Sequence, residues 1–159
     1  MVWKPDVTVA AVIERAGRFL LIEEHIGDRL VINQPAGHLE HNETFVAAVI
    51  RETLEETAWT FVPEAVSGIY LWQHPERNLS FLRVAFVGSV TEHHAHRRLD
   101  RGIRRTLWLH RDEVAQRAEQ LRSPMVLQCI DDHLAGQRYP LSLLTHLINP
   151  TASTTTKSA

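Results

Sequence analysis

Three glutamates, Glu52, Glu55 and Glu56, fall at i, i+3 and i+4 in a segment with helical apolar spacing. That spacing stacks their carboxylates along one helical face, where like charges repel unless a cation lies between them. Read alone, Arg51-Glu-Thr-Leu-Glu-Glu56 also fits a solvated face salted by its own arginine. Gly37 and Glu43 at fixed distances upstream shift the weight towards a divalent-metal site and a phosphate substrate. Magnesium suits such a site because it takes oxygen ligands from a few carboxylates and from substrate phosphates.

The surrounding pattern constrains what holds that helix. Val7–Ile13 and Phe19–Glu23 are apolar and partly β-branched, and Glu14–Arg18 between them contains a glycine, which predicts a hairpin. Leu30–Gln34 reads as a third strand, stopped by Pro35. Asn42 is the expected helix N-cap, with the helix ending near Thr57. The glutamate face is expected to point to solvent, so Glu56→Gln should spare the fold. Trp59–Val62, Ala65–Trp72, Leu79–Val90 and Arg104–Leu109 read as strands, 91–102 as a polar loop, and Asp112–Leu121 as a helix. Ser123-Pro124 opens a last helix, ended by Gly136. Strands and helices mix without regular alternation, which predicts an α+β fold with a mixed sheet. Residues 1–148 form one domain and 149–159, made of Pro, Ser, Thr, Ala, Asn and Lys, a disordered tail.

Composition narrows function by exclusion. The formal net charge is −2 over 159 residues, which argues against broad binding to nucleic acid or anionic membrane. No apolar run is long enough to span a bilayer, the N-terminus lacks a signal-peptide pattern, and one cysteine excludes an internal disulfide framework. The expected setting is the cytoplasm, the expected state a monomer or weak dimer, and Cys129 an inert core thiol.

Glycine, five residues, glutamate, seven residues, Arg-Glu, two residues, Glu-Glu (Gly37 to Glu56) resembles the signature of the Nudix hydrolases. Ala58 stands where that pattern has a glycine, so the turn leaving the helix is expected to differ. The resemblance implies a Nudix-type α/β/α sandwich with a mixed β-sheet and catalysis dependent on Mg²⁺, with Mn²⁺ able to substitute. Carried over by position, Glu52, Glu55 and Glu56 are the implied metal-binding and catalytic carboxylates, with the Gly37 carbonyl as a further ligand. The base is either Glu52 or a carboxylate outside the motif. Arg51 is implied to orient the glutamates and Glu43 to tie the loop to the helix.

Trp3-Lys-Pro, Asn33–Glu40, Arg122-Ser-Pro124 and Gly136–Leu141 extend the likeness to the NudJ-type phosphatases, from Trp3 to about Leu144. This implies hydrolysis of nucleoside tri- and diphosphates and of 4-amino-2-methyl-5-hydroxymethylpyrimidine diphosphate, with release of orthophosphate. The partner is then a nucleotide or pyrimidine diphosphate substrate. Lys4, Arg83, Arg104 and Arg138 are candidates to hold its phosphates. Asp100 either joins the acidic cluster or caps a turn. His38 and His41 border the glycine loop, while His93, His94 and His96 read as a solvated loop rather than a zinc site. Trp3, Trp72 and Tyr139 are either core residues or ring-stacking partners.

Overall fold

The computed structural model describes residues 1–149; the tail expected from 149 lies, from 150 on, outside the described residues. Strands β1 (Asp6–Arg15), β2 (Arg18–Ile26), β3 (Arg29–Asn33) and β4 (Ala36–His38) precede helix α1 (Phe45–Thr57). Then come β5 (Trp59–Gln73), β6 (Ser80–His93), β7 (Ile103–His110), and helices α2 (Arg111–Ala115) and α3 (Met125–Leu134). β1 pairs with β6 in parallel, while β4–β1, β6–β5, β2–β3 and β2–β7 are antiparallel, so the sheet is mixed as expected.

β1 is buried on both faces, which explains its unbroken Val-Ala-Ala-Val-Ile run. Val9, Ala11 and Ile13 pack on one side with Ala48 and Val49 of α1. Ala10 and Val12 pack on the other with Val126, Cys129 and Ile130 of α3. Two helical layers thus enclose the sheet, the expected α/β/α sandwich. Cys129 is a buried core thiol. Among the described residues no helix is long and apolar enough to cross a membrane.

Several local expectations change. α1 is capped by Thr44, whose hydroxyl accepts from the Ala47 N–H at 3.1 Å, because Asn42 sits at φ 60° in the preceding turn. The two strands expected between 59 and 72 are one strand, β5; Pro63 is tolerated because β5 is an edge strand and is bulged there. β6 carries on to His93, whose ring packs tilted against Trp59 with centroids 4.6 Å apart, and so is not in a loop. The helix expected over 112–121 stops at Ala115, followed by a single 3₁₀ turn at Ala118–Gln120. Only Val114 in α2 is buried, too little apolar surface to hold a longer helix. Ala58 does adopt the left-handed conformation, φ 60°, and its N–H closes α1 onto Leu54 O at 2.9 Å. Alanine thus stands in a left-handed position that glycine would adopt without steric cost.

Candidate active site

α1 crosses the sheet next to the short strand β4, and the packing between them builds the site. Ala36 N–H donates to Glu56 Oε2 at 3.0 Å, tying β4 to the helix. Gly37 lies where an added Cβ would collide with the Glu52 carboxylate, so only glycine lets this carboxylate close on the loop backbone.

Arg51 orders the ridge. Its Nε and Nη2 grip both oxygens of Glu43 at 2.7 and 3.0 Å, and Nη1 donates to Glu52 at 2.8 Å and Glu55 at 3.1 Å. Nη2 also reaches the His38 carbonyl at 3.1 Å, and Glu43 accepts from the Glu40 N–H at 3.1 Å. One guanidinium thus binds loop, helix and three carboxylates. It holds the Glu43 carboxyl below the usual carboxylate range, and its own proton is held more tightly in return.

The ridge does not face solvent, contrary to expectation: Glu52 is 9% and Glu56 7% exposed. Both line a cavity of about 360 Å³ between α1, the sheet and the start of α3. Position i+4 turns Glu56 under the helix against β4, so a face read as polar is half inside. Burial pushes the Glu52 carboxyl up despite Arg51. It pushes Glu56 up to about 9, against the Ala36 hydrogen bond, and the charges of Glu24, Glu52 and Asp100 add to this. Glu55 stays more open, its side chain 29% exposed.

The donors are carboxylates beside a backbone loop, with no sulfur, which fits a hard divalent cation rather than zinc. Burial raises Glu52 and Glu56, with neighbouring carboxylates adding to it, and a bound cation would offset both costs by favouring the charged forms. Among the described residues no three His, Cys, Asp or Glu side chains already enclose a metal, and Arg51 spans Glu52 and Glu55 instead.

The other candidates divide. Arg83, only 3% exposed, lines the cavity, with Nη1 donating to Gln34 Oε1 at 2.9 Å and Nη2 to Asn33 Oδ1 at 3.0 Å. Asp100 lies beside the ridge, its N–H donating to Glu55 O at 2.9 Å. His38 and Trp72 also line the cavity. Lys4 and Arg138 do not; Arg138 is an exposed partner of Glu64 at 3.1 Å, and Arg104 lies 3.5 Å from Glu23. His94 bonds Thr60 at 2.9 Å. Sequence reasoning passed over Glu24 and gave Asn33 and Arg122 no role in the site, although both lie in the runs that carry the likeness; all three are on the cavity wall. The signal for Glu24 was Glu23-Glu24 closing an otherwise apolar strand.

A mixed sheet between helices, with a glutamate helix held against a glycine strand by one arginine, defines a phosphohydrolase of the Nudix class. Residues 3–129 match the NUDIX domain family, and the chain belongs to it. It is 39% identical over 142 residues to Phosphatase NudJ of Escherichia coli K12 and of Shigella flexneri, covering 89% of this chain and 92% of each relative. A NUDIX hydrolase from Nitrosomonas europaea superposes with TM-score 0.88 at 46% identity, covering 90% of this chain and 97% of that one. The NUDIX domain of Shewanella oneidensis NrtR, solved with ADP ribose, shares the fold at TM-score 0.68 and 15% identity, over 85% of this chain and 90% of that one. The protein is a Nudix phosphohydrolase.

Proposed function

We propose that this enzyme hydrolyses the phosphoanhydride bond of nucleoside tri- and diphosphates and of 4-amino-2-methyl-5-hydroxymethylpyrimidine diphosphate, with Mg²⁺ as cofactor and orthophosphate as product. The observation that carries this is the pair Glu52 and Glu56, buried on the wall of a cavity large enough for such a substrate. Similarity to the NudJ phosphatases supports the choice of substrate and product.

Glu52, Glu55 and Glu56, with the Gly37 carbonyl, would hold the ion. When bound, it offsets phosphate charge and makes a water acidic enough to attack phosphorus. Arg51 keeps Glu52 and Glu55 in place, and Glu43 keeps Arg51 in place. Asp100, anchored to Glu55 by its backbone, adds a further carboxylate at the open side. Arg83 puts a buried positive charge on the cavity wall, where it draws in an anionic substrate.

Incubation of the full chain with Mg²⁺ and a panel of nucleoside tri- and diphosphates plus the aminopyrimidine diphosphate tests the reading. Orthophosphate should appear, and chelation should abolish it. Pyrophosphate as the product from triphosphates would overturn the product assignment; no release from any substrate would overturn the function.

A further inference from the structure

Beside the main cavity lies a smaller one of about 50 Å³, lined by Ile26, Arg29, Val31, His74, Arg77 and Arg122. Three guanidiniums and an imidazole converge there, and no carboxylate among the described residues lines it. The chain as a whole carries 19 acids against 17 lysines and arginines, so this gathering of positive charge runs against its composition. Arg29 and Arg77 enter no ion pair among the described residues. Their sequence neighbours Asp28 and Glu76 do not line the pocket. Arg122 reaches Glu24 only at 4.0 Å, too far for a hydrogen bond. Cations set side by side repel unless an anion lies between them, the inverse of the glutamate ridge.

Three segments distant in the chain build this pocket, and backbone hydrogen bonds hold each in place. Arg29 opens β3, where it pairs with Ile26 across the β2–β3 turn. His74 and Arg77 lie in the β5–β6 turn, which the His74 N–H closes on Leu79 O at 2.9 Å. The Arg122 N–H donates to Ile32 O at 2.8 Å, fixing the approach to α3 against β3. His74 Nδ1 accepts from the Glu76 N–H at 3.1 Å, so the ring proton lies on Nε2 as a donor. Ile26 and Val31 give the pocket an apolar floor, which strengthens the pull of the cations on an anion. One water needs about 10–15 Å³ of such space, so the pocket admits a small polyatomic ion. Ile26 and Arg122 line both cavities, which therefore adjoin.

We propose that this pocket is a phosphate site, taking an oxyanion other than the one cleaved at the ridge. Guanidinium groups suit tetrahedral oxyanions because their paired N–H donors match two oxygens at once. The oxyanion is free orthophosphate or a second phosphate carried on the ribose of a nucleotide; both present the same chemistry. Binding here needs neither metal nor turnover, so it stands apart from the cleavage reading.

Calorimetric titration of inorganic phosphate into the full chain in EDTA reads the free ion. Titration of ADP and of its 3′-phosphorylated form reads the tethered one. Wild type should bind phosphate, or bind the 3′-phosphorylated nucleotide at least tenfold more tightly than ADP. Arg29→Gln with Arg77→Gln, both exposed positions, should lower that affinity at least tenfold, the scale of one lost charge-assisted hydrogen bond. Arg97→Gln with Arg98→Gln, an equal loss of charge in the exposed loop after β6, should leave it unchanged. A fall confined to free phosphate assigns the free ion, and one confined to the 3′-phosphate assigns the tethered group; each upholds the site. Absence of both signals in wild type, or full affinity in the Arg29 and Arg77 variant, would overturn it. An equal fall in the Arg97 and Arg98 control would reduce the site to diffuse attraction and overturn it too. Circular dichroism checks folding, and should the double variant not fold, Arg77→Gln alone carries the comparison. Phosphate binding without ADP hydrolysis under Mg²⁺ would retain this site and overturn the function; hydrolysis without either binding signal would do the reverse.

Discussion

Replacing Glu56 with glutamine should make the metal-free protein more stable while nearly abolishing catalysis. The carboxyl is 7% exposed, and burial raises it from 4.5 to about 9. A group whose folded pKa is raised holds its proton more tightly when native. Its contribution is therefore most favourable below 4.5 and is lost as pH climbs towards 9. At pH 8 the gap between the two states is about 3.5 pH units, or about 5 kcal/mol at 1.36 kcal/mol each. Glu56 borders an open cavity, and water reaching its carboxylate recovers part of this, leaving about 2 kcal/mol. Glutamine keeps an oxygen for the Ala36 N–H and does not titrate. In a domain of this size 2 kcal/mol is about 4–8 °C in Tm. Thermal melts in EDTA should therefore place Glu56→Gln above wild type at pH 8 and level with it at pH 4.5. Saturating Mg²⁺ should stabilise wild type more than the variant, because binding to the native state adds stability only where the site is complete. Turnover should drop by at least about a hundredfold, the scale of a lost transition-state charge interaction. A variant melting at or below wild type in EDTA at pH 8 would refute the claim that this carboxylate is held at electrostatic cost.

Gly37→Ala should drive the new methyl into the Glu52 carboxylate, lowering kcat about a hundredfold by displacing it; circular dichroism separates this from unfolding. Arg51→Ala leaves Glu43 and Glu52 buried without their cation and should cost about 3 kcal/mol in urea melts, less at acid pH, where the carboxyls protonate. Ala58→Gly removes a left-handed alanine at φ 60° and should stabilise by about 0.5–1 kcal/mol with unchanged kcat.

The spacing Gly37, Glu43, Arg51, Glu52, Glu55, Glu56 was legible because an acidic cluster confined to a loop and one helix is local, and local geometry follows chain spacing. The β1–β2 hairpin and α1 were legible for the same reason, through composition and periodicity, whereas the burial of β1 on both faces was not. Reading failed where a neighbour decided the outcome. Asn42 has good capping chemistry, but Glu43 had to turn back to Arg51, so the cap passed to Thr44. Glu56 looked exposed because nothing in the helix pattern reveals that β4 lies beneath it.

Residue order along the chain was thus sufficient to determine the sandwich and the acidic helix. Tertiary structure alone decided that Arg83, from β6, meets Asn33 and Gln34 about fifty positions earlier, and that Glu24 and Arg122 line one cavity with Glu52 and Glu56. The reason is physical: these groups come from separate strands and a helix start. Their convergence is set by sheet order and by the burial of two apolar faces, neither of which is written in the spacing of any one segment.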